Sequence, residues 1–389
     1  MNRMGSAADM SSKSDTRGPV VVAMSGGVDS SVAAALLLEA GHEVIGVTLQ
    51  LQSCETMPGR ARSCCGWDAQ TRARAVAGHF GIPHYVLPCA SEFEERVLRP
   101  AWEEYARGRT PSPCFLCNER VKFGMLLAFA RTLGCARIAT GHYARVELDG
   151  HARPALIRGR DRAKDQSYFL AGLSAEQLRA VIFPLGSWTK PEVRAMAAAM
   201  GLPGADAPES QDACLVPEGQ SFAEALRIRF HGEARRGKMI ADEGQSLGMH
   251  EGIHHFTIGQ RRGLAVETSG RVWVERIDEA TGEVRVTSDE ARLYSAIFTV
   301  ADVAWINDPP RASIDCLVQA RYRAATVPCR VEMDERPGTN ACAGGHDRVR
   351  VLLREPMRAI APGQAAVFYD GERALGRGWI ESVEGTGGK

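Results

Sequence analysis

The chain has 389 residues, 44% of them apolar and 24% charged, enough to bury two or three separate cores. Lys and Arg number 47 against 47 Asp and Glu, so the global charge selects no acidic or basic partner and any basic surface must be local. No run of 18 apolar residues occurs, which argues against a membrane span, and eleven cysteines, an odd number with no secretory signal, point to a reducing compartment, cytoplasm by default.

In chain order, residues 1–17 are small and polar with no apolar h-region, and read as a disordered tail rather than a signal or transit peptide. From Val20 to about Gly201, short apolar strand patterns ("VVVAM", "HEVIGVTLQL", "PHYVLPC", "ARIATGHYA") alternate with helical ones. The helical stretches are "SSVAAALLLEAG", "DAQTRARAVAGHFG", "EFEERVLRPAWEEYARG" and "VKFGMLLAFARTLG". This alternation predicts a doubly wound, mostly parallel α/β sheet over residues 18–218. Beyond it, Gly and Pro punctuate short strands, and "EATGE" reads as a hairpin turn. A small, mostly-β central domain is expected over 219–294, and a C-terminal β-barrel over 295–385.

Between the first strand and helix stands Ser-Gly-Gly-Val-Asp-Ser-Ser. Glycines let the backbone turn tightly and bring its N–H groups to an anion, and the helix N-terminus and hydroxyls add to the attraction. A Walker A loop would carry a lysine for the β/γ-phosphates, and this one has none. Backbone donors and hydroxyls alone suit a departing pyrophosphate better than γ-phosphoryl transfer. The loop resembles that of the N-type ATP pyrophosphatases, which cleave ATP to AMP and pyrophosphate.

"RTPSPCFLCNERVKFG" places Cys114 and Cys117 in a C-x-x-C immediately before a helical run, with Arg120 and Lys122 close behind. A helix N-terminus and nearby cations lower a thiol pKa, so the pair suits a nucleophile or a metal ligand. Half of a zinc site, a thioredoxin-like pair and ordinary buried cysteines are the alternatives. A third cysteine, Cys214, stands in "ESQDACLVPEG".

Together with "ATGHYAR", "KDQSYFL", "TIGQRRGL", "ARYRA" and "PGQAAVFYDGERALGRGWI", these segments resemble, in order, the tRNA-specific 2-thiouridylases from about residue 19 to 383. The resemblance implies ATP- and Mg²⁺-dependent replacement of the C2 oxygen of the wobble uridine by sulfur in tRNAs for Glu, Gln and Lys. It implies an ATP loop of Ala23, Met24, Ser25, Gly26, Gly27, Val28, Asp29 and Ser30, with Leu49 and Gly141 lining the adenosine site. Cys117 takes the nucleophile position and Cys214 the persulfide position, while Ser112, Pro113 and Cys114 meet the target base. His142, Lys164, Asp165, Gln166, Arg321, Tyr322 and Gln364 fall at positions that contact tRNA. The implied partners are the tRNA anticodon stem-loop and a persulfide donor, either a cysteine desulfurase or a sulfur-relay protein, with no membrane.

Cys114 departs from the family, many of whose members have Asp there. Three cysteines, Cys114, Cys117 and Cys214, match the ligand count of a [4Fe-4S] cluster with one open iron, an alternative route for the same thiolation. Outside this class stand a small-molecule ATP-pyrophosphatase ligase, which has no use for the paired cysteines, and an idle RNA-binding protein, which has none for the intact loop. The basic stretch Arg227 to Lys238 and "GQRRGL" offer local charge for phosphates. The other eight cysteines read as packing residues.

Overall fold

The computed structural model describes residues 18–52, 67–204, 220–264, 270–333 and 348–384. The first layer begins with β1 (Val20–Ala23), whose valines are fully buried, then α1 (Val28–Glu39), β2 (Val44–Gln50), α2 (Trp67–Phe80) and β3 (His84–Pro88). A long helical segment follows, in which α3 (Ala90–Phe93) passes through a π-turn (Glu94–Leu98) into α4 (Arg99–Ala106). A second repeats the device: α5 (Pro113–Leu116), a π-turn (Cys117–Lys122) and α6 (Phe123–Thr132).

The chain then runs through β4 (Arg137–Ala139), β5 (Ala144–Leu148), β6 (Pro154–Arg158), α7 (Ser167–Leu170), α8 (Ala175–Ala180), β7 (Val181–Ile182) and α9 (Lys190–Ala199). Strands β3-β2-β1-β4-β7 form one sheet, with every neighbouring pair parallel, as the alternating pattern predicts. Its order reverses between β1 and β4, and open α/β sheets bind ligands at such a switch point, outside the carboxyl ends of the strands.

The middle of the chain opens with α10 (Phe222–Arg229), capped by the Ser221 side chain, and folds β8 (Gly237–Ile240), β9 (Ser246–His250), β10 (Trp273–Ile277) and β11 (Val284–Thr287) into a small sheet. The predicted turn does join an antiparallel pair, β10 and β11. Strands β12 (Tyr294–Trp305), β13 (Ile314–Gln319), β14 (Val327–Met333), β15 (Arg348–Arg358), β16 (Ala365–Asp370) and β17 (Arg373–Glu384) form the final sheet. Pairing of β12 with both β15 and β17 closes it into a barrel around Phe298, Val331, Val351, Phe368 and Ile380.

One strand pairing departs from the sequence expectation. "ARIATGHYA" is not a single strand: β4 ends at Ala139, a loop runs from Thr140 to Tyr143, and only the last residue, Ala144, enters β5, which hairpins with β6. β6 then pairs with β17, so a piece of the nucleotide-side segment extends the barrel's own sheet. Main-chain hydrogen bonds therefore tie barrel and first layer together. Among the described residues no helix is long and apolar enough to cross a membrane.

Candidate functional site

The loop after β1 lies at the switch point. Gly26 takes a positive φ of 69°, and a Cβ there would collide with the Ala69 carbonyl of α2, so only glycine fits. Arg72 of α2 donates its Nε to the Gly26 carbonyl at 3.1 Å. The Ser30 hydroxyl accepts from the Ser25 backbone N–H at 3.2 Å and lies 3.3 Å from the Ser25 hydroxyl. Ser30 and Ser31 each donate to the Gly27 carbonyl at 3.0 Å. These bonds hold the turn in place, while Gly27 begins α1 with no side-chain cap, leaving first-turn N–H groups for an anion.

Gly141, in the loop after β4, closes the other side. A Cβ on it would come within 2.8 Å of the Asp29 and Ser30 backbone. Leu49, near the end of β2, packs into two clusters at once, the main core and the one containing Cys117. The loop, Gly141 and the end of β2 thus share the carboxyl edge of the sheet.

The cysteine pair is not in front of a helix but inside one. Ser112 is the N-cap and Pro113 the first helical residue, a position where its missing N–H costs nothing. Cys114 follows within the first turn, and Cys117 opens the π-turn. π-turns are uncommon and recur at functional sites. This one packs against the π-turn of the preceding helical segment through Val97, Leu98, Leu116, Cys117 and Val121.

Cys114 is exposed and Cys117 buried. The low thiol pKa expected from the sequence is not what the surroundings produce. Burial pushes the Cys117 thiol up, and only Lys122 pulls it back, with Cys114 adding a smaller upward push. Desolvation also raises Cys114, again opposed by Lys122; its exposure weakens that effect, so the direction is firmer for Cys117. Arg120, the other expected cation, is exposed and contributes to neither shift.

His142 lies beside the same lysine. Its Nδ1 is 2.7 Å from the Thr140 hydroxyl, and its ring sits between Phe123 and Phe183, with centroids 5.7 and 6.1 Å away. Burial first, and Lys122 second, hold its pKa down at about 3, so the ring is neutral at physiological pH. Lys122 therefore acts on Cys114, Cys117 and His142 together.

The barrel presses on the cysteine helix from the far side. Thr110 donates to the Pro362 carbonyl at 2.9 Å and accepts from Gln364 Nε2 at 3.2 Å; Arg109 donates to Ile380 at 3.1 Å. Phe115 meets Trp379 edge-on at 5.8 Å, and buried Arg377 pairs with Glu119 within the π-turn. Arg321 and Tyr322 occupy the turn after β13 rather than a strand, with Arg321 exposed. The Tyr322 ring lies 4.3 Å from that of Phe169, which in turn stacks edge-on with Phe115.

Other expected residues sit differently. The Asp165 carboxylate is buried and accepts from the Gly159 and Ser167 N–H groups, the Ser167 hydroxyl and Arg158, so it organises its own loop. Gln166 exchanges two hydrogen bonds with the Tyr143 backbone. Lys164 lies in the turn before them, partly buried. Cys214, with Cys54, Cys64, Cys65 and Cys342, falls outside the described residues. Cys316 and Cys329, expected to be mere packing, face each other across β13 and β14 with sulfurs 3.7 Å apart.

Sequence reasoning missed Lys190, whose ammonium lies 2.7 Å from both Asp29 oxygens across 161 positions of chain. Among the described residues, Glu224, His254 and His255 are spaced closely enough to hold a metal. Arg227, however, already donates to both Glu224 oxygens, so the grouping reads as an ion-paired cap of α10.

Comparison with known proteins follows this architecture. Residues 18–218 match a family described as "tRNA methyl transferase HUP domain", 228–288 a "tRNA methyl transferase PRC-barrel domain" and 295–380 an "Aminomethyltransferase beta-barrel domain". The chain is 45% identical over 366 residues to "tRNA-specific 2-thiouridylase MnmA" of Chloroflexus aurantiacus, covering 94% of this chain and 99% of that protein. It is 42% identical to the protein of the same name from Geotalea uraniireducens (96% and 98% covered) and from Rickettsia typhi (93% and 98% covered). A solved 4-thiouridine synthetase–RNA complex with bound ATP aligns at a TM-score of 0.34 and 19% identity, over 55% of this chain and 50% of that one. At this identity and coverage, the chain belongs to the tRNA-specific 2-thiouridylase family.

Proposed function

We propose that the protein uses ATP to replace the C2 oxygen of the wobble uridine in tRNAs for Glu, Gln and Lys with sulfur. The observation that carries this reading is the meeting of a lysine-free phosphate loop and a cysteine-bearing π-turn at one sheet edge, with Leu49 packed in the cluster around Cys117. Phosphate contact comes from the first-turn N–H groups of α1 and the Ser25 hydroxyl, with Ser30, whose own proton lies on the Gly27 carbonyl, holding the loop in place, while Leu49 and Gly141 border the adenosine. Asp29 is the loop's carboxylate for Mg²⁺, which supplies charge neutralisation when it arrives with ATP.

A flipped uridine reaches Ser112, Pro113 and exposed Cys114 at the start of α5; leaving a single-stranded loop costs about a few kcal/mol or less. Its C2 oxygen bonds to the α-phosphorus, the bond to the β-phosphate oxygen breaks, and the electron pair leaves with pyrophosphate. The N3 proton goes to solvent. A persulfide on Cys214, loaded by a cysteine desulfurase or relay protein, provides the sulfur. The Cys117 thiolate attacks the inner sulfur, forming a Cys117–Cys214 disulfide and freeing the outer sulfur as sulfide, which adds at C2 and displaces AMP. A cellular thiol reductant reopens the disulfide.

His142, Lys164, Asp165, Gln166, Arg321, Tyr322 and Gln364 form the tRNA face in this reading. Arg321 and Tyr322 act directly as a cation and a stacking plane. Asp165 and Gln166 act through the loop they hold, and Gln364 through Thr110. The methyl transfer named in the domain descriptions would leave the ATP loop and the cysteines without a role.

A second reading rests on Cys114, whose exposed thiol stands one helical turn before Cys117. These two sulfurs with Cys214 would hold three irons of a [4Fe-4S] cluster, which would supply a bound sulfide. Protein purified without oxygen and given unmodified tRNA, Mg²⁺-ATP and a sulfide source separates the readings. Iron-free protein forming ATP-dependent 2-thiouridine supports the persulfide route; activity that follows about four irons per chain supports the cluster. Turnover of ATP with an amine acceptor and no RNA would mark a small-molecule ligase and overturn both.

A further inference from the structure

Two of the segments assigned to the tRNA face come from different layers: residues 164–166 precede α7, and Arg321 with Tyr322 follow β13. A chain of buried polar groups joins them. Arg158, the last residue of β6, donates through Nη1 to Asp165 Oδ2 at 3.0 Å and through Nη2 to Gln319 Oε1 at 3.4 Å. Its guanidinium lies 3.8 Å from the centre of the Tyr369 ring of β16, and the Tyr369 hydroxyl is 3.3 Å from that of Ser167. Gln319, the last residue of β13 and only 4% exposed, passes the contact on by donating Nε2 to the Arg321 carbonyl at 3.2 Å. The same two segments also touch through rings, with Tyr322 at 4.3 Å from Phe169 and 5.9 Å from Tyr168.

The relay has a direction. The Gln319 amide must accept on one side and donate on the other, which neither a carboxylate nor an apolar side chain can do. Asp165 already accepts from the Gly159 and Ser167 N–H groups and the Ser167 hydroxyl, so nothing local to its turn requires the bond between Arg158 and Gln319. That bond instead spans the seam where β6 joins β17 of the barrel's sheet. An arginine fork fixes two acceptors at a set separation and angle, which a lysine does not. We propose that Arg158 and Gln319 are positioning residues that hold the 164–166 turn and the Arg321–Tyr322 turn at one spacing, so that tRNA meets both as a single preformed surface. Preforming the pair removes the cost of ordering one turn against the other when tRNA binds. This inference rests on the reading of both turns as the tRNA face.

The test measures equilibrium binding of unmodified tRNA and steady-state thiolation on the full chain carrying Gln319→Met, which keeps the side-chain volume and leaves Arg158 paired with Asp165. Affinity for tRNA falls about fivefold to tenfold and KM for tRNA rises with it, while kcat at saturating tRNA and the affinity for ATP stay within about twofold. Arg158→Lys, which keeps the charge beside Asp165 but not the fork, shows the same split. A cycle with Arg321→Ala reads the positioning directly: that substitution costs less in the Gln319→Met background than in wild type, by at least about threefold. Where Gln319→Met fails to fold, Gln319→Glu, which still accepts from Arg158 but cannot donate to the Arg321 carbonyl, gives the same result. Strictly additive losses, wild-type tRNA affinity in the folded variants, or equal falls in kcat, ATP affinity and tRNA affinity would reduce the relay to packing. If Arg321→Ala and Lys164→Ala each leave tRNA affinity at the wild-type value, the reading of the tRNA face fails first and takes this inference with it.

Discussion

The phosphate loop and the cysteine helix lie at the same sheet edge but are held there by opposite means. The loop is fixed by its own residues: Ser25, Gly27, Ser30 and Ser31 bond one another within a few positions, and Gly26 nests against α2. The cysteine helix is fixed from a distance, by Arg109 to Ile380, Thr110 to Pro362 and Gln364, and Glu119 to Arg377. A site assembled this way separates its two tasks. On the proposed function, nucleotide binding would belong to the first layer, whereas sulfur chemistry would need the barrel seated against Thr110 and Glu119.

The largest effect expected from this contrast is at Cys117. Cys117→Ser should lower thiolation by at least about a thousandfold, the loss of a nucleophile, and leave ATP affinity unchanged. Gly26→Ala is the mirror experiment. Its positive φ and the Ala69 carbonyl cost about 1–3 kcal/mol, so ATP binding should fail while alkylation of Cys117 proceeds at the wild-type rate. If Gly26→Ala altered Cys117 reactivity, the two regions would not be separable.

Arg377→Met tests the barrel's grip. Arg377 is 4% exposed but Glu119 is partly solvated, so the loss should be about 1–3 kcal/mol, below that of a fully buried pair. Thiolation should drop about tenfold or more, and the calorimetric affinity for ATP should not move.

The smallest effects are in pH dependence. The raised Cys117 pKa stabilises the fold fully below the ordinary thiol pKa near 9, and that contribution is lost as pH rises toward the folded value. Alkylation of Cys117 should accordingly keep rising above pH 9, where free cysteine levels off. His142, held at about 3 from its ordinary 6.5, contributes above 6.5 and loses that contribution as pH falls toward 3. Its ring proton shift should stay constant from pH 8 to 5, and His142→Phe should flatten the acid limb of the stability curve. A His142 titration near 6.5 would contradict the packed, neutral ring.

What could be read from sequence follows the same division. The parallel sheet, the β10–β11 hairpin and the tight strand-to-helix turn at Gly26 are local patterns, and they emerged as the alternation of strands and helices predicts. The C-x-x-C was visible, but its place inside a helix was not, because a π-turn leaves no periodic signature. Nor could spacing show that desolvation outweighs Lys122 at Cys117, that β6 pairs with β17, or that Lys190 meets Asp29. Each depends on how segments distant in the sequence pack together. Asp165 and Gln166 illustrate the converse: the sequence singled them out for tRNA, while their side chains are engaged in hydrogen bonds within the fold.

The most direct measurement is a single turnover without oxygen, following pyrophosphate release and 2-thiouridine together in wild type and Cys117→Ser, with persulfide-loaded protein and unmodified tRNA. Wild-type protein should form both products one to one, and Cys117→Ser should release pyrophosphate in a tRNA-dependent burst with no thiouridine. Thiouridine at the wild-type rate from Cys117→Ser, or thiouridine without pyrophosphate from wild type, would contradict the account.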